Sequence, residues 1–513
     1  MYSVFYFGKI ISKNYRDILT FAGACLLFAH FLLREYMPTQ LVGAFGAGVV
    51  FLLLYYVLCH KRDVFGFLLI IFICSHFSYA ENQGGLWNLL AFGLFLVYYS
   101  TGKPLTRIGK ADILLNTLLL TLVVSNLFGW LLKNQMTGAS LLFSVASFLG
   151  IIFCYIFMSR IVLTPRLLRI LLQVLAVVVA YMFLAAMNQR FAIIDLNTPL
   201  LGTYAAGSGG LIAGGTNRAA STLQHTELFG EYSMLLVTLT IPFVVSSMTQ
   251  RFLKLRRGLV FFFFVIAVSN MLLSGTRSAF LLTVVAGISY LFVFITFPLN
   301  VVDARKRYLK YIFTGLIALT LLGSYVGLDS TLGRFQSFSD ETSFRFEDVT
   351  SGEGINRGPL FLMGVQRIQN GNWFIGYGSG IPVSNYSALF NGRKSLYSDF
   401  HSLYLALPII YGWFGTFAFL AIILILNFRL IRIVVLYRNS KHYLMPLIIG
   451  LALFWPLFLM DQYKISILRV MNYQTLFWLY LGISSAAIRT FYYYRPQVQK
   501  EVTEKAIPAG RIG

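Results

Sequence analysis

Apolar residues run through this chain in long blocks separated by short polar connectors. The blocks reach the ~17–25 residues that a helix needs to cross a bilayer. They also lack the polar stripe that a soluble helix of this length keeps. Taken in order, they predict about fourteen spanning helices. These start near residues 17, 41, 64, 86, 113, 139, 170, 228, 258, 278, 311, 402, 443 and 473. The expected fold class is an all-α polytopic membrane protein, with one transmembrane domain over 1–513. Two connectors break the pattern of short turns. The first, 189–227, is rich in glycine between Ala205 and Gly215. The second, 328–401, carries Leu360, Leu362, Met363, Val365 and Ile368 at helical spacing. That spacing predicts a helix over 357–369 lying at the membrane surface. Connectors beyond about 12–15 residues are usually functional or disordered. Pro242, Pro408 and Pro456 fall inside spans and predict local kinks.

Composition sharpens the class. Hydrophobic residues make up 58% of the chain and charged ones 12%, against roughly 25% charged in a soluble domain. The net charge of +22 would suggest nucleic acid in a soluble protein. Here roughly 28 of the 41 basic residues fall at the two termini and in every second connector. Arg251, Lys254, Arg256 and Arg257 form one cluster, Arg305, Lys306, Arg307 and Lys310 another, and Arg429, Arg432, Arg438 and Lys441 a third. The positive-inside rule then places both termini in the cytoplasm and both long loops outside. The first apolar run follows Lys9, Lys13 and Arg16 without a small-residue cleavage site, and reads as an uncleaved signal anchor. The charge is thus a topology signal, and no nucleic-acid partner is expected. Cys25, Cys59, Cys74 and Cys154 all lie in or beside apolar runs, which suits packing rather than disulfides or metal ligation.

Four external charges sit close to membrane helices. Arg218 precedes the eighth span, in Thr216-Asn217-Arg218-Ala219-Ala220-Ser221-Thr222. Arg277 lies in the tight turn Ser274-Gly275-Thr276-Arg277-Ser278 between the ninth and tenth spans. Arg357 opens the expected loop helix, and His401 stands at the start of the twelfth span. Any one of these arginines alone would suit snorkelling to lipid phosphates. Three on one face, with a histidine, suit another chemistry. Guanidinium forks match phosphate oxygens bidentately, and a neutral imidazole can take a proton from a hydroxyl. The set describes a site for a diphosphate leaving group and a hydroxyl nucleophile. Asp340, Glu341, Glu347, Asp348 and Glu353 read as a solvated stretch, and neither a carboxylate pair nor metal-ligand spacing stands out.

At these residues the chain resembles the O-antigen polymerase/ligase superfamily of Wzy/WaaL-type membrane glycosyltransferases, over roughly residues 200–425. Three pieces carry the resemblance. Arg218 with Ser221-Thr222 precedes Leu228-Phe229-Gly230-Glu231-Tyr232, and Ser274 to Ala279 resembles the family's serine-rich arginine turn. Third, Arg357 is followed by Ile375-Gly376-Tyr377-Gly378-Ser379-Gly380, then by His401-Ser402-Leu403-Tyr404-Leu405 with Gly412 and Gly415. The chain departs from the family's Asn/His-Pro-Asn element after the first arginine, where it has His225-Thr226-Glu227.

The resemblance implies a GT-C-like fold in a bacterial inner membrane, with the active site facing the periplasm. It implies a polyprenyl-diphosphate-linked oligosaccharide as donor, an inverting attack by an acceptor hydroxyl, and no cofactor or metal. Arg218, Arg277 and Arg357 would bind the diphosphate, and His401 would orient or deprotonate the acceptor. Two reactions stay open. A polymerase would join lipid-linked repeat units, the better match to about fourteen spans; a ligase would move the glycan to lipid A core or a protein. A chain-length regulator or a lipid A core acceptor is the corresponding partner, beside membrane lipid. A lipid-linked-oligosaccharide flippase, the rival class, would instead place ionisable residues near the bilayer midplane.

Overall fold

The structure, a computed structural model, describes residues 64–76, 88, 92–93, 110–133, 138–191, 212–213, 216–217, 219–223, 225–246, 249, 252–296, 365, 368–369, 374–379, 402–437, 440, 442–463, 467–469 and 471–493. Among these residues the fold is helical, apart from an antiparallel two-residue ladder, Ile212–Ala213 with Thr216–Asn217. In chain order the helices are α1 (Val64–Cys74), α2 (Lys110–Phe128, continued by a π-helical turn Gly129–Lys133), α3 (Gly138–Arg160) and α4 (Pro165–Phe191). Then follow α5 (Thr226–Val245), α6 (Arg257–Ser274), α7 (Arg277–Thr296), α8 (Leu403–Leu436), α9 (Met445–Asp461) and α10 (Met471–Tyr493). Each begins within a few residues of an expected span. The spans expected from near 17, 41 and 311, and nearly all of the one from near 86, lie outside the described residues.

Five segments are long and apolar enough to cross a membrane: Ile113–Lys133, Pro165–Phe191, Thr226–Val245, Arg257–Ser274 and Leu403–Leu436. Shorter apolar helices run over Ser144–Arg160, Ser278–Phe294 and Met445–Asp461. These helices fit a multi-pass membrane protein. Their outward faces carry large apolar side chains such as Leu142, Val177, Phe262 and Phe417, as lipid-facing surfaces must.

The bundle is built around α5, whose residues are buried on every face save the half-buried Glu227 in its first turn. Helices α6, α7 and α9 pack around it, α4 lies against α6, and a second layer pairs α2 with α8 and α3 with α10. Helix association in lipid gains little from the hydrophobic effect, so close packing and hydrogen bonds between helices carry it. Tyr290 of α7 donates to Thr238 O of α5 (2.6 Å), Asn270 of α6 to Val179 O of α4 (3.2 Å), and Trp455 of α9 to Ser484 Oγ of α10 (3.0 Å). Hydroxyls left inside helices turn back on their own carbonyls, as Ser233 does on Phe229 O (2.7 Å).

All three prolines fall inside helices, Pro242 in α5, Pro408 in α8 and Pro456 in α9. The sharp break in α8 lies four residues past Pro408, at Gly412 (φ 65°, ψ 179°). This backbone region is open essentially to glycine alone.

Candidate functional site

At one end of the bundle seven chain segments meet. Gln189 near the end of α4 holds the 219–223 segment, accepting at Oε1 from the backbone N–H groups of Ala220 (3.0 Å) and Ser221 (2.7 Å). Ala219 N–H donates to Leu273 O (3.1 Å), which ties that segment to the last turn of α6. Gly275 then adopts a left-handed conformation (φ 60°) and turns the chain into α7. Thr276 in this turn donates to Thr226 O at the start of α5 (3.0 Å). α5 can approach because Gly230 faces the turn: a Cβ there would lie 2.5–2.6 Å from Thr276 and Ser274 side-chain atoms. Across the bundle, Leu403 N–H in α8 donates to Gln462 O just past α9 (2.9 Å). The Gln462 side chain accepts from Ile467 N–H (2.9 Å) and donates to Glu231 Oε1 (2.8 Å). Gln462 thereby links α5, α8, α9 and the approach to α10.

Arg277 is the first residue of α7 and sits in this convergence. Arg218, Arg357 and His401 lie outside the described residues. Their described neighbours say where the chain enters and leaves. Ala219, next to Arg218, is bonded to α6 four residues before Arg277. Ser402, next to His401, is buried at the start of α8 beside Gln462. The flanks of three of the four candidate residues therefore meet at one end of the bundle. Of the helix expected over 357–369, only Val365, Ile368 and Gln369 are described, and all three are helical. Two hydroxyls at this end, Ser402 Oγ and Thr222 Oγ1, are buried with no hydrogen-bond partner among the described residues. Buried polar atoms are normally paired, which sets these two apart.

Residues Phe374–Ser379 enter the bundle as irregular chain, with bends at Phe374, Ile375 and Ser379 and a positive φ (87°) at Gly378. The break at Gly412 frees the carbonyls of Ile409 and Ile410, which an intact helix would give to residues 413 and 414. Tyr377 N–H donates to Ile409 O and Gly378 N–H to Ile410 O, both at 2.8 Å. From the other side, Asn126 of α2 accepts from Ser379 N–H (2.6 Å) and donates to Ser379 Oγ (2.8 Å), and Trp130 Nε1 donates to Ser379 O (2.7 Å). Ser125 Oγ donates to Tyr411 O at the break itself. Glycines make the fit possible. A Cβ on Gly129 would press on the backbone of Gly376–Gly378, and one on Gly376 on Ile410. The π-helical turn at Gly129–Lys133 brings Lys133 over the Tyr377 ring, 4.8 Å from its centroid.

One feature of the centre escapes sequence reading. Glu231 is 0% exposed and Asp461 3% exposed, and the two carboxyl groups lie close enough to interact electrostatically. Tyr473 OH adds a donor to Glu231 Oε1 (3.1 Å). Beside the pair runs a second buried chain. His76 Nδ1–H donates to Phe72 O (2.6 Å), which leaves Nε2 to accept from Tyr232 OH, and Tyr480 OH pairs with Tyr232 OH at 3.0 Å. The carboxyls stand 230 positions apart in sequence, so no local spacing reveals their pairing. The available signal was Glu231 itself, an ionisable residue inside an apolar run, which marks a functional position by default. Among the described residues, no three His, Cys, Asp or Glu side chains are grouped to hold a metal.

Fold and site together define a polytopic helical membrane protein whose polar chemistry gathers at one end of its bundle. Residues 262–420, from within α6 to within α8, match the Wzy_C family model, described as O-antigen ligase. Over these 159 of 513 residues the chain is similar to the O-antigen polymerase/ligase superfamily, which supports a ligase/polymerase-type membrane enzyme. The matched stretch includes Arg277, Arg357 and His401, whereas Arg218, Glu231 and Asp461 lie outside it. No curated protein matches the chain.

Proposed function

We propose that this protein is a metal-independent inverting glycosyltransferase that polymerises O-antigen or related surface-polysaccharide repeat units on the periplasmic side of a bacterial inner membrane. The donor is a glycan on polyprenyl diphosphate. The observation that carries the reading is the meeting of the flanks of Arg218, Arg277 and His401 at one bundle end, within or beside the family match.

In this reading Arg218, Arg277 and Arg357 supply fixed positive charge where the leaving diphosphate develops negative charge in the transition state. Electrostatic groups placed in advance lower a barrier most effectively in a water-poor site. The acceptor oxygen forms its bond to the anomeric carbon from the face opposite the phosphate. The anomeric carbon–oxygen bond breaks, and its electron pair leaves on polyprenyl diphosphate. His401 takes the acceptor proton and later returns it to water. Gln462 holds the first turn of α8, next to His401 in sequence, against the Glu231–Asp461 pair; the pair serves as a positioning element.

A second reading is favoured by the description of the matched family. A ligase would use the same donor and leaving group but transfer the glycan to lipid A core or to a protein. Purified protein with a short polyprenyl-diphosphate glycan, with and without lipid A core, separates the two. Longer lipid-linked chains without core, absent with His401→Ala, are expected. Product only with core present would make the enzyme a ligase. No product in either mixture, with His401→Ala behaving as the parent, would reject a glycosyl-transfer site at this end.

A further inference from the structure

The other end of the bundle holds a cavity of about 860 Å³ into which three helices bring arginines. Arg160 is the last residue of α3, Arg429 and Arg432 lie on the final turns of α8, and Arg489 belongs to α10. Among the described residues, no acidic side chain lines it. Arg489 is fixed in the wall, donating from Nη1 to Ser159 O (2.9 Å). Leu424 and Phe428 complete the other wall, 56% and 67% exposed.

The arrangement along α8 is directional. Leu424, Phe428 and Arg432 recur at four-residue spacing and therefore share one helix face. That face passes from apolar to cationic over about 12 Å. A free phosphate would need only the arginines. A phospholipid needs both parts: guanidinium groups for the phosphate oxygens and an apolar wall for the acyl chains below. From Met471, beside the Gln462 end, to Arg489 helix α10 rises roughly 27 Å, close to the ~30 Å hydrocarbon core. The cavity and the candidate active site therefore face opposite membrane surfaces, so the glycan donor is not its occupant. The arginine end is the one the charge pattern assigns to the cytoplasm, where anionic lipids attract basic residues.

We propose that this cavity is a binding site for an anionic phospholipid, whose phosphate bridges Arg160, Arg429, Arg432 and Arg489 and whose chains lie along Leu424 and Phe428. The bound lipid clamps the ends of α3, α8 and α10 together. Intrinsic affinity of a basic membrane face for anionic lipid would give weaker, diffuse binding, and the control is chosen to separate the two. Detergent-purified, delipidated protein is titrated with cardiolipin, phosphatidylglycerol, phosphatidylcholine or inorganic phosphate, with native mass spectrometry and thermal unfolding as readouts. The test variant is the double substitution Arg429→Gln/Arg432→Gln. The control is Arg166→Gln/Arg169→Gln, which removes equal charge from the start of α4, at the same bundle end but outside the cavity.

Expected is retention of one or two anionic lipids at least five-fold above phosphatidylcholine, with a raised melting temperature. Both effects should fall at least five-fold in the cavity variant and persist in the α4 variant. Equal retention of phosphatidylcholine, or equal loss in both variants, would overturn the proposal. So would displacement of the lipid by millimolar phosphate, which would mark a simple anion site. Should the cavity variant fail to fold, Phe428→Asp probes the apolar wall with all four arginines intact, and unchanged lipid retention there would also reject the site.

Discussion

Replacing Glu231 by glutamine keeps an acceptor for Tyr473 and Gln462 and sets an amide in place of the carboxyl beside Asp461. The Glu231→Gln variant is therefore expected to unfold within a few degrees of the parent. Glu231→Ala leaves buried partners unsatisfied, at about 1–3 kcal/mol for each group, and should melt clearly lower. Equal losses in the two variants, by thermal unfolding in detergent, would show that an ionised glutamate is required. Arg277→Ala is expected to slow glycosyl transfer by about 30- to 900-fold, equivalent to ~2–4 kcal/mol of lost transition-state stabilisation. Arg277→Lys should recover part of this, since it keeps the charge but loses the fork. An alanine variant with parental rates would return Arg277 to a lipid contact. His442, in the connector between α8 and α9, is held down to about 4 by burial. It stacks on Tyr443 (4.4 Å) and accepts at Nδ1 from Leu444 N–H (3.3 Å), which suits the neutral ring. Between its ordinary value of 6.5 and about 4, the unfolded chain binds a proton that the folded chain does not. This contribution is complete above that ordinary value and declines as the pH falls. A lower melting temperature at acid pH is expected, with the difference reduced in His442→Gln; an unchanged difference would assign it to other groups.

Helix α8 is the element on which the site depends most, because its break supplies the backbone acceptors for Phe374–Ser379. Gly412→Ala would place a Cβ 2.5 Å from Phe374 O and 2.7 Å from Gly376 N, at a φ that alanine rarely adopts. Backbone strain of this kind costs about 1–3 kcal/mol, and the Phe374–Ser379 segment would have to withdraw. Transfer activity should fall at least ten-fold while the helical circular dichroism signal stays near that of the parent. Full activity would mean that the segment's depth is irrelevant to catalysis. Gly412 was visible in sequence as part of a motif following His401. Its conformation was not, since the reason for it lies in carbonyls that meet a segment more than thirty residues earlier in the chain.

At the scale of the whole molecule, the helices were legible because an apolar run is a local property. Ten helices among the described residues begin near expected starts. The arginine turn was legible for the same reason. What stayed hidden depends on distant parts of the chain: the Glu231–Asp461 pair, the Gln462 link and the four-arginine cavity, of which Arg429 and Arg432 read in sequence only as topology signals. The central place of α5 was hidden too, because apolarity alone does not separate a lipid-facing helix from an enclosed one. That enclosure sets an order of assembly. α5 leaves the ribosome long before α9 and α10, so Glu231 enters the membrane with neither Asp461 nor Tyr473 made. An unpaired acid at depth costs roughly 2.5–3.5 kcal/mol on insertion scales. The nascent bundle is thus a half-built shelter whose inner helix must wait for its last two walls, and a chain stopped before Met445 should insert yet be cleared by quality-control proteolysis. Glu231→Leu in the same truncated chain should lengthen its lifetime in a pulse–chase experiment.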